Sequence, residues 1–295
     1  MRYSDLHCDS ISRAYKEGKS LYDGDLQINA VKSKDIEKYE QYFALWLSDE
    51  LKGEAAFSLC KSMLTYYENQ MKDLKNRGVT NLIPHLSIEN ASALGGDINN
   101  VAYFKSKGVE VMSLTWNGEN EVASGVNAKG GLKTFGRQII KEMARYNMTL
   151  DVSHLNERGF YEVCLIDSIK IIATHSNCYD ICPHRRNLKR WQVRELISRG
   201  SLIGLNFYPP FLGTGKLSVF EQIRANIEYL LSLGGEDNIA FGSDFDGAEM
   251  SSDLDDIDKV AHLYDYLLSS GIDNTVVEKV FYENVGRLLR NVKII

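Results

Sequence analysis

Hydrophobic and polar positions recur at two periods along this chain. Eight short apolar or alternating runs, at 3–8, 42–47, 81–88, 109–115, 148–153, 170–174, 201–208 and 238–242, have strand length and are bounded by polar or glycine-containing segments. Between most of them the apolar residues fall at helical spacing. Ala56, Leu59, Cys60, Met63, Leu64, Tyr67, Met71 and Leu74 make one such face, stopped by Gly78, and Phe135, Ile139, Ile140 and Met143 make a second. Leu188, Trp191, Leu196 and Ile197 form a third before Gly200, and Val219, Ile223, Ile227, Leu230 and Leu231 a fourth before Gly234. Helical stretches at 257–268 and 276–292 close the chain. Strands that alternate with helices pair in parallel, because a parallel neighbour needs a crossover. The pattern predicts an α/β fold, a (β/α)8 TIM-like barrel forming one domain over 1–295. An open doubly wound sheet is the alternative, but no glycine-rich phosphate loop follows the first run.

Composition narrows the partners. With 34 basic against 40 acidic residues the net charge is −6, which argues against nucleic acid as the main partner. An apolar fraction of 44% and a charged fraction of 25% are those of a globular protein rather than a disordered one. No apolar run reaches the ~18 residues of a membrane span, and the first residues lack a secretory layout. Five thinly spread cysteines (8, 60, 164, 178 and 182) make a disulfide framework unexpected and a cytoplasmic location the expectation.

The chemistry lies at the strand ends. The first run ends in His7-Cys-Asp9, the third in Glu89, the fifth in Ser153-His154, the sixth in Thr174-His175, and the eighth in Ser243-Asp244-Phe-Asp-Gly247. In a parallel barrel these ends converge on one face, where active sites lie. Imidazoles gathered there either stay neutral or share a cation, because like charges in low dielectric repel. Nitrogen and carboxylate donors suit Zn²⁺, and five ligands suit a pair of ions joined by a carboxylate better than one. A second element, His184-Arg185-Arg186, follows the sixth strand; its guanidinium groups either hold an anionic group or form a solvated basic loop.

At these spacings the residues resemble the membrane (renal) dipeptidase family of zinc metallopeptidases, within the amidohydrolase superfamily. The resemblance runs from His7-Cys-Asp9 through Asp244-Phe-Asp-Gly247 to Glu283-Asn284. It implies a distorted (β/α)8 barrel, two Zn²⁺ ions per subunit, a dipeptide substrate and a homodimer. It further implies that His7 and Asp9 bind one metal and that His154 and His175, 21 residues apart, bind the second. Glu89 bridges the ions, Arg186 holds the substrate's terminal carboxylate, and Asp244 handles the proton. Trp116 stands where the family's animal members carry a substrate-contacting histidine. An indole donates one hydrogen bond but shuttles no proton, so Asn117 or Asn120 is expected to supply the missing donor. An altered substrate, another small amide, a lactam or an N-acyl amino acid, is the alternative reading, and an idle metal-binding scaffold the third.

Several residues carry plainer expectations. His85, four before Glu89, is expected in a lower barrel layer as a hydrogen-bonded core residue. His184 is read as a loop residue and His262 as part of a solvated helix face. Cys8 is read as a small apolar group, and Trp46 and Trp191 as packing residues. The acidic stretch 252–258 is read as a helix start.

Overall fold

Of the seven residues in the first strand, β1 (Arg2–Cys8), six are buried. Its polar members Ser4, Asp5 and His7 are enclosed with the rest, each at 2% exposure or less. Polar side chains enter such a place only with partners, so this strand carries more than packing. The computed structural model describes residues 1–213 and 215–290. Seven strands follow β1, each overlapping one of the runs read from the sequence: β2 (Lys38–Trp46), β3 (Leu82–Glu89), β4 (Val109–Ser113), β5 (Thr149–Asp151), β6 (Ile171–Ile172), β7 (Ile203–Leu205) and β8 (Ile239–Phe241). They lie in one sheet in the order β6-β5-β4-β3-β2-β1-β8-β7. Pairing is parallel, as Asp5 with Phe241 and Leu150 with Ile171 show. Ala173, just past β6, bridges in parallel to Ile203 of β7. The two edge strands therefore meet, giving a nearly closed TIM-like barrel in place of an open sheet.

Helices fill the crossovers: α1 (Ser10–Glu17), α2 (Gly53–Asn76), α3 (Asn99–Ser106), α4 (Thr134–Arg145), α5 (Glu157–Cys164), α6 (Arg190–Ser198), α7 (Pro209–Leu212), α8 (Val219–Ser232), α9 (Val260–Ser269) and α10 (Asn274–Glu278). The four apolar faces named above map onto α2, α4, α6 and α8, except that Trp191 of α6, expected as a packing residue, is exposed. In α8 the start is fixed by a capping box, Ser218 accepting from the Glu221 amide while Glu221 accepts from Ser218. The stretch expected as a helix over 276–292 begins as α10 and winds on through π-helical segments Lys279–Glu283 and Gly286–Arg290; positions 291–292 lie outside the described residues. No described helix is long and apolar enough to cross a membrane.

The chain groups into two compact units, 1–42 with 70–84 and 173–295, and 43–69 with 85–172; β2 and β3 run through both. In the first, Tyr3 stacks on Tyr39 at 5.8 Å and meets Phe241 at 6.0 Å, while Phe207 lies edge-on to Phe241 and Phe245. These rings form the apolar floor of that unit. Two glycines allow strands to close over it: a Cβ at Gly204 or Gly242 would lie 1.9 or 1.8 Å from the Thr174 carbonyl oxygen. In the second unit, Phe57 of α2 packs edge-on against Phe104 of α3 at 5.9 Å.

The expectation for His85 fails in one respect. It is hydrogen-bonded, to Glu110 at 3.1 Å, but this pair is partly exposed, at 14% and 44%. The β3–β4 register slips between Leu86 and Ser87.

Candidate metal centre

Apart from Arg186, in the loop between β6 and α6, the residues singled out for the site lie at or within a few residues of the C-terminal end of a strand. His7 is in the last turn of β1 and Asp9 follows it; Glu89 ends β3; Trp116 and Asn117 follow β4; His154, His175 and Asp244 follow β5, β6 and β8. Two of them sit in strained backbone, with φ +66° at both His154 and Asp244. A left-handed conformation is uncommon for residues other than glycine, and it aims a side chain that an extended strand would turn away.

In the first unit, His7, Asp9 and Asp244 offer ligand atoms that all lie within 4.8 Å of one another. His7 Nε2 stands 3.5 Å from Asp9 Oδ2 and 3.8 Å from Asp244 Oδ1. Ligands bonded to one zinc at ~2.0–2.2 Å stand roughly 3–4 Å apart, so these separations fit an ion between them. Asp9 is buried, and its Oδ1 has no hydrogen-bond partner. Burial raises the Asp9 carboxyl pKa; His7 pulls it down, and Asp244 and Asp246 push it up again. A divalent cation supplies the charge such a group lacks.

The surrounding groups hold these donors in place. Asp244 N–H donates to the His7 carbonyl at 3.1 Å, and its Oδ2 accepts from Asn206 Nδ2 at 2.9 Å. Asn206 is itself fixed, exchanging bonds of 2.9 Å with Asn177. Beneath His7, Asp5 accepts from the Ser243 and His7 amides, and burial raises its carboxyl pKa to about 6. His175 stacks on His7 with ring centroids 3.8 Å apart, and its Nδ1 lies 2.7 Å from Thr174 Oγ1. That contact leaves Nε2 as the nitrogen that could coordinate a metal, the orientation that outer partners give to ligating imidazoles. Arg186 is buried, with Nη2 donating to the His175 carbonyl at 3.2 Å and the guanidinium 5.7 Å from the Phe211 ring. The solvated-loop reading of Arg186 therefore fails, whereas His184 does lie in the loop, stacked on Phe211.

Gly247 closes the floor. A Cβ there would lie 2.1 Å from Asp9 Oδ2 and 2.9 Å from Asp244 Oδ1. Gly247→Ala is expected to displace both carboxylates and weaken zinc binding by ~10–100-fold, the cost typical of disturbing a ligand's supports. Chelator competition measures it.

In the second unit, His154 Nε2 stands 2.7 Å from Glu89 Oε1, both side chains buried. His154 Nδ1 lies 2.9 Å from Asn117 Oδ1. Trp116 is 6.4 Å from the His154 ring, and Trp46 meets Trp116 edge-on at 5.2 Å. Trp46 thus packs as expected, against the Trp116 ring. Asn120 is committed elsewhere: Nδ2 donates to Asn90 Oδ1 and the Leu114 carbonyl, and Oδ1 accepts from the Val122 and Ala123 amides. It has no donor left for a substrate, so the expectation that Asn120 supplies one is withdrawn. Asp246 buries its carboxylate against Arg13 and the Gln27 and Ile28 amides, pinning the segment after α1.

The sequence reading passed over Asn206 and Thr174. Their signal was position: each sits at the end of a strand, next to or facing a residue already singled out.

The model of the membrane dipeptidase family, peptidase family M19, matches residues 23–295, so His7 and Asp9 precede the matched span. A Klebsiella pneumoniae protein described as "uncharacterized protein in pqqA 5'region" is 34% identical over 217 residues, covering 70% of this chain and 80% of its own length. The dipeptidase aclJ of Aspergillus oryzae is 28% identical over 215 residues, and the chain spans about half of that relative, 51%, from 70% of its own length. A Rhodobacter sphaeroides metallopeptidase, solved with a phosphinate mimic of the dipeptide L-Ala-D-Ala, superposes with a TM-score of 0.88 at 22% identity, covering 98% of this chain and 99% of that one. The chain belongs to the membrane dipeptidase family, peptidase family M19.

Proposed function

We propose that this protein is a zinc-dependent dipeptidase with two Zn²⁺ ions per subunit. The observation that carries the reading is the donor cluster of buried His7 and Asp9 with half-buried Asp244 at the ends of β1 and β8. His7 and Asp9 would hold one ion, His154 and His175 the other, with Glu89 shared between them. Two carboxylates and three imidazoles with supported orientations fit the mixed nitrogen and oxygen donor set of zinc, a borderline cation. When bound, such ions lower the pKa of a coordinated water and polarise a carbonyl.

The chain's own residues supply the rest. Arg186, buried and anchored on the His175 carbonyl, presents a fork that pairs with the substrate's terminal carboxylate and restricts it to very short peptides. Asp244, held by Asn206, takes a proton from the attacking water and returns it to the leaving amine. Trp116 and Trp46 give an apolar wall where a histidine would offer a charged donor. The wall favours the second reading, another small amide or N-acyl amino acid, only if dipeptides prove poor substrates. The test is a zinc titration of the metal-stripped protein against a panel of dipeptides and N-acyl amino acids. Dipeptide hydrolysis that vanishes on chelation and returns with two equivalents of zinc is expected; turnover unaffected by chelation contradicts the proposal.

A further inference from the structure

We infer that Asn117 is a positioning residue for the imidazole of His154, and not the substrate-binding donor expected from its place beside Trp116. The inference rests on the proposed function, in which His154 is a zinc ligand. Asn117 Oδ1 lies 2.9 Å from His154 Nδ1. An amide oxygen only accepts, so Nδ1 carries the proton and the neutral ring keeps its lone pair on Nε2. Nε2 faces Glu89 Oε1 at 2.7 Å. A lone pair and a carboxylate at that distance repel unless a cation or proton lies between them, so Nε2 is the nitrogen that would take a bound ion, the two atoms parting to the roughly 3–4 Å of ligands on one zinc.

The loop that carries Asn117 is built for this task. It folds back on itself, with Asn127 N–H donating to the Asn117 carbonyl at 2.8 Å and Gly125 N–H to the Gly118 carbonyl at 2.6 Å. At this turn a Cβ on Gly125 would lie 2.2 Å from the Trp116 carbonyl oxygen. The loop is tied down at Gly118, whose N–H donates to Asp49 Oδ2 at 2.7 Å. It then grips the backbone at His154: Val126 N–H donates to the His154 carbonyl at 3.0 Å, and Gly125 pairs with Leu155. One loop therefore fixes both the main chain and the ring of a residue in left-handed backbone, at φ +66°. A side chain that only contacts substrate needs none of these bonds.

The test compares Asn117→Leu, which removes the acceptor at similar volume, with Asn117→Asp, which keeps an oxygen there. Side-chain ¹⁵N spectra of the metal-free proteins report the His154 tautomer, and chelator competition reports zinc affinity. The expected results are the Nδ1–H form in the parent, its loss in Asn117→Leu with a ~10–100-fold drop in affinity for one ion, and recovery of both in Asn117→Asp. An unchanged tautomer in Asn117→Leu overturns the inference, as does unchanged zinc affinity with a raised KM, the signature of a substrate contact. His154→Ala separates the two claims. If it keeps both zinc ions, the ligand assignment in the proposed function fails, while the tautomer shift in Asn117→Leu still reports on positioning.

Discussion

His7→Ala is expected to lose one of two zinc ions and to lower kcat/KM for a dipeptide by at least ~10³-fold. His7 is the donor common to both close contacts in its cluster, 3.5 Å to Asp9 and 3.8 Å to Asp244, and it stacks on His175. Removing it leaves two carboxylates facing each other without the neutral ligand that completes the set. Loss of a Lewis acid worth several kcal/mol of transition-state stabilisation corresponds to about three orders of magnitude. Metal analysis and steady-state kinetics on the folded variant check both parts. A variant that retains two ions and most of its activity removes His7 from the ligand set.

Asp244→Asn is expected to behave differently: two zinc ions retained, kcat reduced by ~10²–10⁴-fold, and KM little changed. That is the range for removing a general acid–base group. The carboxamide keeps an oxygen where Asp244 Oδ2 accepts from Asn206, so the architecture around φ +66° survives while the proton carrier is gone. The contrast is diagnostic because Asp244 also lies within the donor cluster. If Asp244→Asn sheds an ion along with its activity, the residue is a ligand and the proton must travel by another group.

The barrel was legible because most strands are short, mainly apolar runs with polar residues at the C-terminal ends, although Asp5, Glu40 and Gln41 are also buried within β1 and β2. His7 and Asp9 illustrate it: they precede the span matched by the family model, yet period two places them together at the end of β1. The same rule put His85 in the core, whereas it is half-buried beside Glu110, because a strand pattern does not record how far a barrel layer lies from solvent. Short helices such as α1, α3 and α5, eight residues each, carried too few turns to display a face. The supporting groups were hidden for another reason. Thr174, Asn206 and Asn117 act through bonds to residues distant in sequence or through a particular ring nitrogen, and an Asn at a loop looks the same whether it caps a turn, binds substrate or orients an imidazole.

Anomalous diffraction at the zinc edge, on crystals of the zinc-loaded protein, tests the central claim most directly. The account predicts two peaks: one ~2.0–2.2 Å from His7 and Asp9, the other at that distance from His154 and His175, with Glu89 reaching both. A single peak, or a pair that Glu89 does not touch, contradicts it.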